Sequence, residues 1–140
     1  MPAPPPDKLS IVVFSGQFER VHYALVMAGA AIASNTPVTL FFTMGAARAL
    51  LTGDGWRKLP SEEAASASAM DEMFKARGIG QFEELLEACI ALGVTFQVCE
   101  MGLKALGIDH SDLRADVPVA LGGVVTFLAD ASRNGAMVFV

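Results

Sequence analysis

Residues 93–108 read GVTFQVCEMGLKALGI, and the change of pattern inside them decides the fold. Val94, Phe96 and Val98 alternate with Thr95 and Gln97, the period of a strand, whereas Met101, Leu103, Ala105 and Leu106 follow a helical one. Cys99 stands at the junction. A helix N-terminus presents unpaired backbone N–H groups and a partial positive charge, both of which favour a thiolate. Cys99 is therefore the best nucleophile candidate in the chain. The competing reading makes it a small apolar residue that closes the core.

The same alternation of strand and helix extends outward in both directions. Residues 9–14, LSIVVF, and 37–43, PVTLFFT, are short apolar, β-branched runs suited to strands covered on both faces. Between them, residues 18–34 spread Phe18, Val21, Tyr23, Leu25, Val26, Met27 and Ile32 almost around a helix, which predicts burial on more than one side. A second buried face of that kind suggests a subunit interface. Residues 46–51 read as a short helix, and 52–61, TGDGWRKLPS, as loop, with Trp56 capping a core edge. Ser61-Glu62-Glu63 is expected to open a helix over 64–77.

Residues 81–92 form a further helix with Phe82, Leu85, Leu86, Cys89 and Ile90 on one face, so Cys89 reads as core. Cys99 should lie on the order of 16 Å from the bottom of that helix, too far for a disulfide with Cys89. After Cys99, residues 117–121 form a fourth strand, 124–132 a short helix behind Gly122-Gly123, and 136–140 a last strand. A parallel five-stranded sheet with helices on both faces follows.

In such a sheet, ligands gather where strand C-terminal ends meet helix N-termini. The ends are Ser15-Gly16, Thr43-Met44-Gly45, Cys99-Glu100-Met101-Gly102 and Leu121-Gly122-Gly123. Only the third carries a nucleophile. Glu100 opposes a thiolate there, and Lys104 favours one if it curls back.

Composition narrows the classes. The 140 residues suffice for one domain, residues 9–140, behind a Pro-rich lead-in at 1–8 expected to be disordered. The hydrophobic fraction is 53% and the mean hydropathy +0.47, yet the longest apolar stretches, 24–33 and 117–129, fall short of the ~18 residues a span needs. The start MPAPPPDK lacks the basic-then-apolar pattern of a secretory signal. A net charge of −5, with scattered Lys and Arg, argues against nucleic acid. The two cysteines fit thiol chemistry in a reducing compartment, and the expected location is cytoplasmic. His22 and His110 have no metal-site spacing with the cysteines, and no phosphate-binding glycine motif occurs, so neither metal nor other cofactor is expected.

The blocks SIVVFSG, VTLFFT, FEELLEACIALGV, VCEMGLKALGI and GGVVTFLADA, in this order and spacing, make the chain resemble the DsrE/DsrF-like sulfur-relay family in its single-domain branch. The resemblance implies a three-layer α/β/α sandwich with a mostly parallel five-stranded sheet, assembled as a trimer or hexamer. It also implies a persulfide on Cys99, exchanged with a donor or acceptor protein thiol. On this reading Ser15, Gly16, Thr43, Gly45, Glu100, Gly122 and Gly123 line the pocket, and Met44 and Met101 form a soft apolar wall. The alternatives are a non-catalytic oligomeric binding module with a structural Cys99 and a thiol redox sensor.

Overall fold

A computed structural model of the chain describes residues 4–140. The strands are β1 (Leu9–Val13), β2 (Val38–Phe42), β3 (Thr95–Cys99), β4 (Val119–Gly122) and β5 (Ala136–Phe139). They form one five-stranded sheet in the order β4-β3-β2-β1-β5, with every pairing parallel. The helices are α1 (Phe18–Ala33), α2 (Ala67–Ala76), α3 (Phe82–Ala91), α4 (Glu100–Ala105) and α5 (Val124–Asp130). The lead-in expected at 1–8 lies partly outside the described residues; Asp7 N–H donates to the Asn134 carbonyl and Ala136 N–H to the Lys8 carbonyl.

The α/β architecture is the one expected, but the two sheet faces are unequal. Ile11, Val13, Leu40, Phe42, Phe96 and Val98 point into the main core beneath α1 and α3. Trp56 is buried there, stacked on Phe82 at 4.8 Å, with its indole N–H donated to Glu83. Strand alternation sends Val12, Phe41 and Cys99 to the opposite face. There Phe41 and Cys99 form a small second cluster with Phe127, the buried residue of α5, and Val12 packs against it.

α5 makes the return connection from β4, at one edge of the sheet, to β5 at the other. Seven residues span only about 10 Å, whereas five strands at about 4.8 Å spacing are nearly twice as wide. The second face is therefore only partly covered. Val125 is 82% exposed, Phe139 69% and Met101 65%, with Leu128 and Met137 also open.

This relocates the free apolar surface. Residues 18–34 were expected to bury more than one side, but α1 buries one, through Phe18, Val21, His22, Ala24, Leu25 and Ala28, and leaves Tyr23 exposed. The uncovered hydrophobic area belongs to the sheet face beside α5 and to the exposed side of α5 itself. The expected helix over 64–77 also starts later, at Ala67, because Ser66 caps it by accepting from Ala69 N–H. Glu19 instead takes Ser61 Oγ–H and the N–H groups of Glu62 and Glu63, which holds that segment out of the helix. The turn after β2 is a 3₁₀ helix, Met44–Leu50, that begins with Met44 at φ 50°.

Candidate functional site

Cys99 ends β3 and caps α4 at once: its Sγ accepts the Gly102 N–H at 3.4 Å. The bond forms because the strand stops one residue before the helix starts, so the thiol replaces a hydroxyl in the usual N-cap role. Gly102 is required for this fit. A Cβ there would lie 2.6 Å from Thr43 Oγ1 and 2.7 Å from Met44 N, so α4 is seated directly on the end of β2. In the sheet, Cys99 pairs with Gly122 across β3 and β4. Beyond this pair the two connections diverge, Leu103 of α4 turning into the main core and α5 crossing the other face.

The thiol is 1% exposed. Phe41 and Phe127, stacked at 4.8 Å, share its cluster, so the side chain sits beneath α5 rather than in an open cleft. α5 itself is held by little. Phe127 is its buried residue, and at its end the Asp130 carboxylate accepts from Lys8 Nζ at 2.6 Å and Thr39 Oγ1 at 2.7 Å. The Lys8 bond first, then the Thr39 bond, keep the Asp130 carboxyl below its ordinary range against the opposing effect of partial burial.

The residues expected to line one pocket divide among three openings. Thr43, Met44 and Met101 border an apolar groove of about 340 Å³ between α5 and the exposed Phe14, Met137 and Phe139. That size suits a small ligand or a few inserted side chains. Glu100, Met101, Gly122 and Gly123 line a more polar crevice on the other side of α4, together with Lys104 and Thr126. Ser15, Gly16 and Gly45 border a third opening with Arg48 and Lys58, where the backbones of Gly16 and Gly45 cross closely enough that a Cβ on either meets the other at 3.1 Å. Met101 belongs to both of the first two openings, which thus flank the Cys99 cluster; the third stands apart.

Sequence reasoning missed Phe127, Phe41 and Gln97. Gln97 was legible from the TFQVC alternation, which places it in phase with Cys99, but the cover supplied by Phe127 depends on the path of α5. Cys89 lies where it was expected, buried on α3 with its thiol 3.6 Å from the Leu25 carbonyl, and burial pushes that thiol up to about 11. Both cysteines are free. Among the described residues no three His, Cys, Asp or Glu side chains gather as a metal site, and no helix is long and apolar enough to cross a membrane.

Solved structures share this fold. A protein of unknown function from Methanobacterium thermoautotrophicum, MTH1491, superposes with a TM-score of 0.59 at 16% identity, over 95% of this chain and 98% of the other. YchN of E. coli does so with 0.57 at 20% identity, over 95% and 97%. In sequence, the uncharacterized protein YrkE of Bacillus subtilis (strain 168) is 24% identical over 156 aligned residues, covering 95% of this chain and 96% of YrkE. The model of the DsrE/DsrF/DrsH-like family matches residues 58–139, which include β3, Cys99, α4 and α5. With more than half of its length inside that match, the chain belongs to the DsrE/DsrF/DrsH-like family.

Proposed function

We propose that this protein is a small sulfur carrier that holds sulfane sulfur on Cys99 and passes it to a protein thiol. The observation that carries the reading is the position of Cys99, at the end of β3, capping α4 through Gly102 N–H, between an apolar groove and a polar crevice. In the loading step the Cys99 thiolate attacks the outer sulfur of a donor persulfide; the new S–S bond forms as the donor's S–S bond breaks, and the donor leaves as a thiolate. With thiosulfate the leaving group is sulfite. No net oxidation or reduction occurs in either case, so the step needs neither metal nor nucleotide.

Burial requires that α5 lift before the thiol reacts. A seven-residue helix fastened by Phe127 and Asp130 is suited to such movement, because few interactions must break. The uncovered apolar face around Val125, Phe139 and Met137 supports assembly of copies through that face, and the family resemblance implies a trimer or hexamer. A cytoplasmic location fits the free thiols.

The 1% exposure of Cys99 favours one other reading, a non-catalytic oligomeric binding module in which Cys99 is structural. Intact-protein mass spectrometry after incubation with thiosulfate or inorganic polysulfide separates the two. A carrier gains one or more sulfur atoms, lost on reduction, in wild type and Cys89→Ser but not in Cys99→Ser. No gain in any form removes the carrier reading and leaves the binding module.

A further inference from the structure

Gln97 is 8% exposed, and its Oε1 is buried without a hydrogen-bond partner among the described residues. A carbonyl oxygen so placed costs stability, because it gives up its bonds to water and regains none. Its place in the sheet locates the unmet acceptor. Gln97 pairs in register with Phe41 and lies two residues before Cys99 on β3, so alternation puts all three on the face beneath α5. The α-carbons of Gln97 and Cys99 are roughly 6.6 Å apart along the strand. On the adjoining strand the in-register residues are the small Ala120 and Gly122, and the Thr126 side chain of α5 lies against Gly122.

We infer that Gln97 holds the outer sulfur of a hydropersulfide on Cys99 by accepting its S–H at Oε1. The inference rests on the sulfur-carrier reading and gives the stored form its chemistry. A second sulfur extends the Cys99 side chain by about 2 Å, into the reach of a glutamine two residues down the same strand face. Between Phe41 and Phe127 a neutral –S–S–H is better accommodated than its anion, since an unpaired charge is expensive to bury. The neutral form carries one S–H donor, and Gln97 Oε1 is the unfilled acceptor on that face. Loading leaves Cys99–S–S⁻ with the donor thiolate released; the persulfide takes one proton from solvent as α5 closes and returns it when α5 lifts for transfer. No electron is gained or lost in this protonation. Storage is thereby separated from reaction: covered, the sulfur is neutral and hydrogen-bonded, and uncovered, it is a nucleophilic anion.

The test uses Gln97→Met, which keeps the length of the side chain and removes the acceptor, with Gln97→Leu as a second variant. Wild type and variants are loaded with inorganic polysulfide, freed of excess donor, and followed by intact mass until the added sulfur is lost; thermal midpoint and the iodoacetamide rate of unloaded Cys99 are measured alongside. The expected result is a persulfide lifetime about fivefold shorter in both variants, the size of one modest hydrogen bond, with an unchanged or higher thermal midpoint and an alkylation rate within twofold of wild type. Equal lifetimes in wild type and variants overturn the role of Gln97 and leave the carrier reading intact. A lowered midpoint with faster alkylation also overturns it, by showing that Gln97 only supports the fold. Failure of wild type to take up sulfur defeats the carrier reading itself and this inference with it.

Discussion

Phe127 of α5 stacks on Phe41 of β2 with ring centroids 4.8 Å apart, and this pair closes the cluster that buries Cys99. The stack fastens the middle of a short helix to a sheet face that is otherwise largely open. Phe127 is thus a barrier between solvent and the thiol on this face.

Replacing Phe127 should therefore expose Cys99. In Phe127→Leu the ring is lost while an apolar anchor remains, and the alkylation rate of Cys99 with iodoacetamide is expected to rise about tenfold, corresponding to roughly 1.4 kcal/mol less cost of opening. Peptide mapping of the alkylated protein reads the site. A wild-type Cys99 that already reacts as fast as the variant would show that α5 is no cover.

The other cysteine supplies an internal control. Burial raises the Cys89 thiol to about 11, so at pH 8 roughly one part in a thousand is thiolate. Cys89 should stay unmodified in native protein under conditions that label Cys99 in Phe127→Leu, and become reactive only on unfolding. Native labelling of Cys89 in the first minutes would contradict its placement on the core face of α3.

At the far end of α5 the Asp130 carboxylate ties the helix to Lys8 and Thr39. Its folded-state value is depressed, chiefly by Lys8, so the stabilisation is present above the ordinary carboxylate range and is lost as pH falls through the lower folded value. The window is thus below about pH 4. Asp130→Asn should lower the thermal midpoint at pH 7 and flatten the acid limb of the midpoint-against-pH curve. Glu83, held low first by Arg114, and Asp116 contribute to the same limb, so flattening should be partial. An unaltered acid limb would show that the contact with Lys8 is not maintained in solution.

Much of this architecture is legible in the sequence because its three central strands are buried and announce themselves. LSIVV and VTLFF are apolar, β-branched runs, and TFQVC changes period at the residue that caps the next helix. What escaped depends on contacts between distant segments. Ser61-Glu62-Glu63 has the composition of a helix start, yet the Glu19 carboxylate, forty-odd residues away, takes its donors. The pattern of α1 suggested apolar cover all round, but the pattern cannot tell which face of the sheet lacks a layer. That follows from the length of α5 and the strand order, which place the open sheet surface at Met137 and Phe139. The position of Cys99 at a strand–helix junction was legible, whereas the grouping of the other strand-end residues was not, because nearness at strand ends depends on which strands are neighbours.

The open surface makes a prediction about assembly. Val125 is exposed on the outer side of α5 and Phe139 on the sheet face beside it, and neither is needed for the main core. Light scattering of wild type at micromolar concentration is expected to give more than one chain mass, and the double variant Val125→Glu with Phe139→Glu to give one. A monomeric wild type would remove this face from consideration as an interface between copies.

The junction that holds Cys99 can be tested without touching the thiol. A Cβ at position 102 would press on Thr43 Oγ1 at 2.6 Å and Met44 N at 2.7 Å, and the second is backbone that cannot turn aside. Relief requires α4 to shift away from the end of β2, and the Gly102 N–H that Cys99 Sγ accepts must move with it. Gly102→Ala should cost about 1–3 kcal/mol of stability, the range for inserting a methyl group into a packed contact, although alanine is the better helix former. Chemical denaturation measures the loss. Helix propensity alone predicts the opposite sign, so a stabilised Gly102→Ala would mean that α4 is not seated on β2. A destabilised variant whose Cys99 also shows altered alkylation would tie the seating of α4 to the state of the thiol.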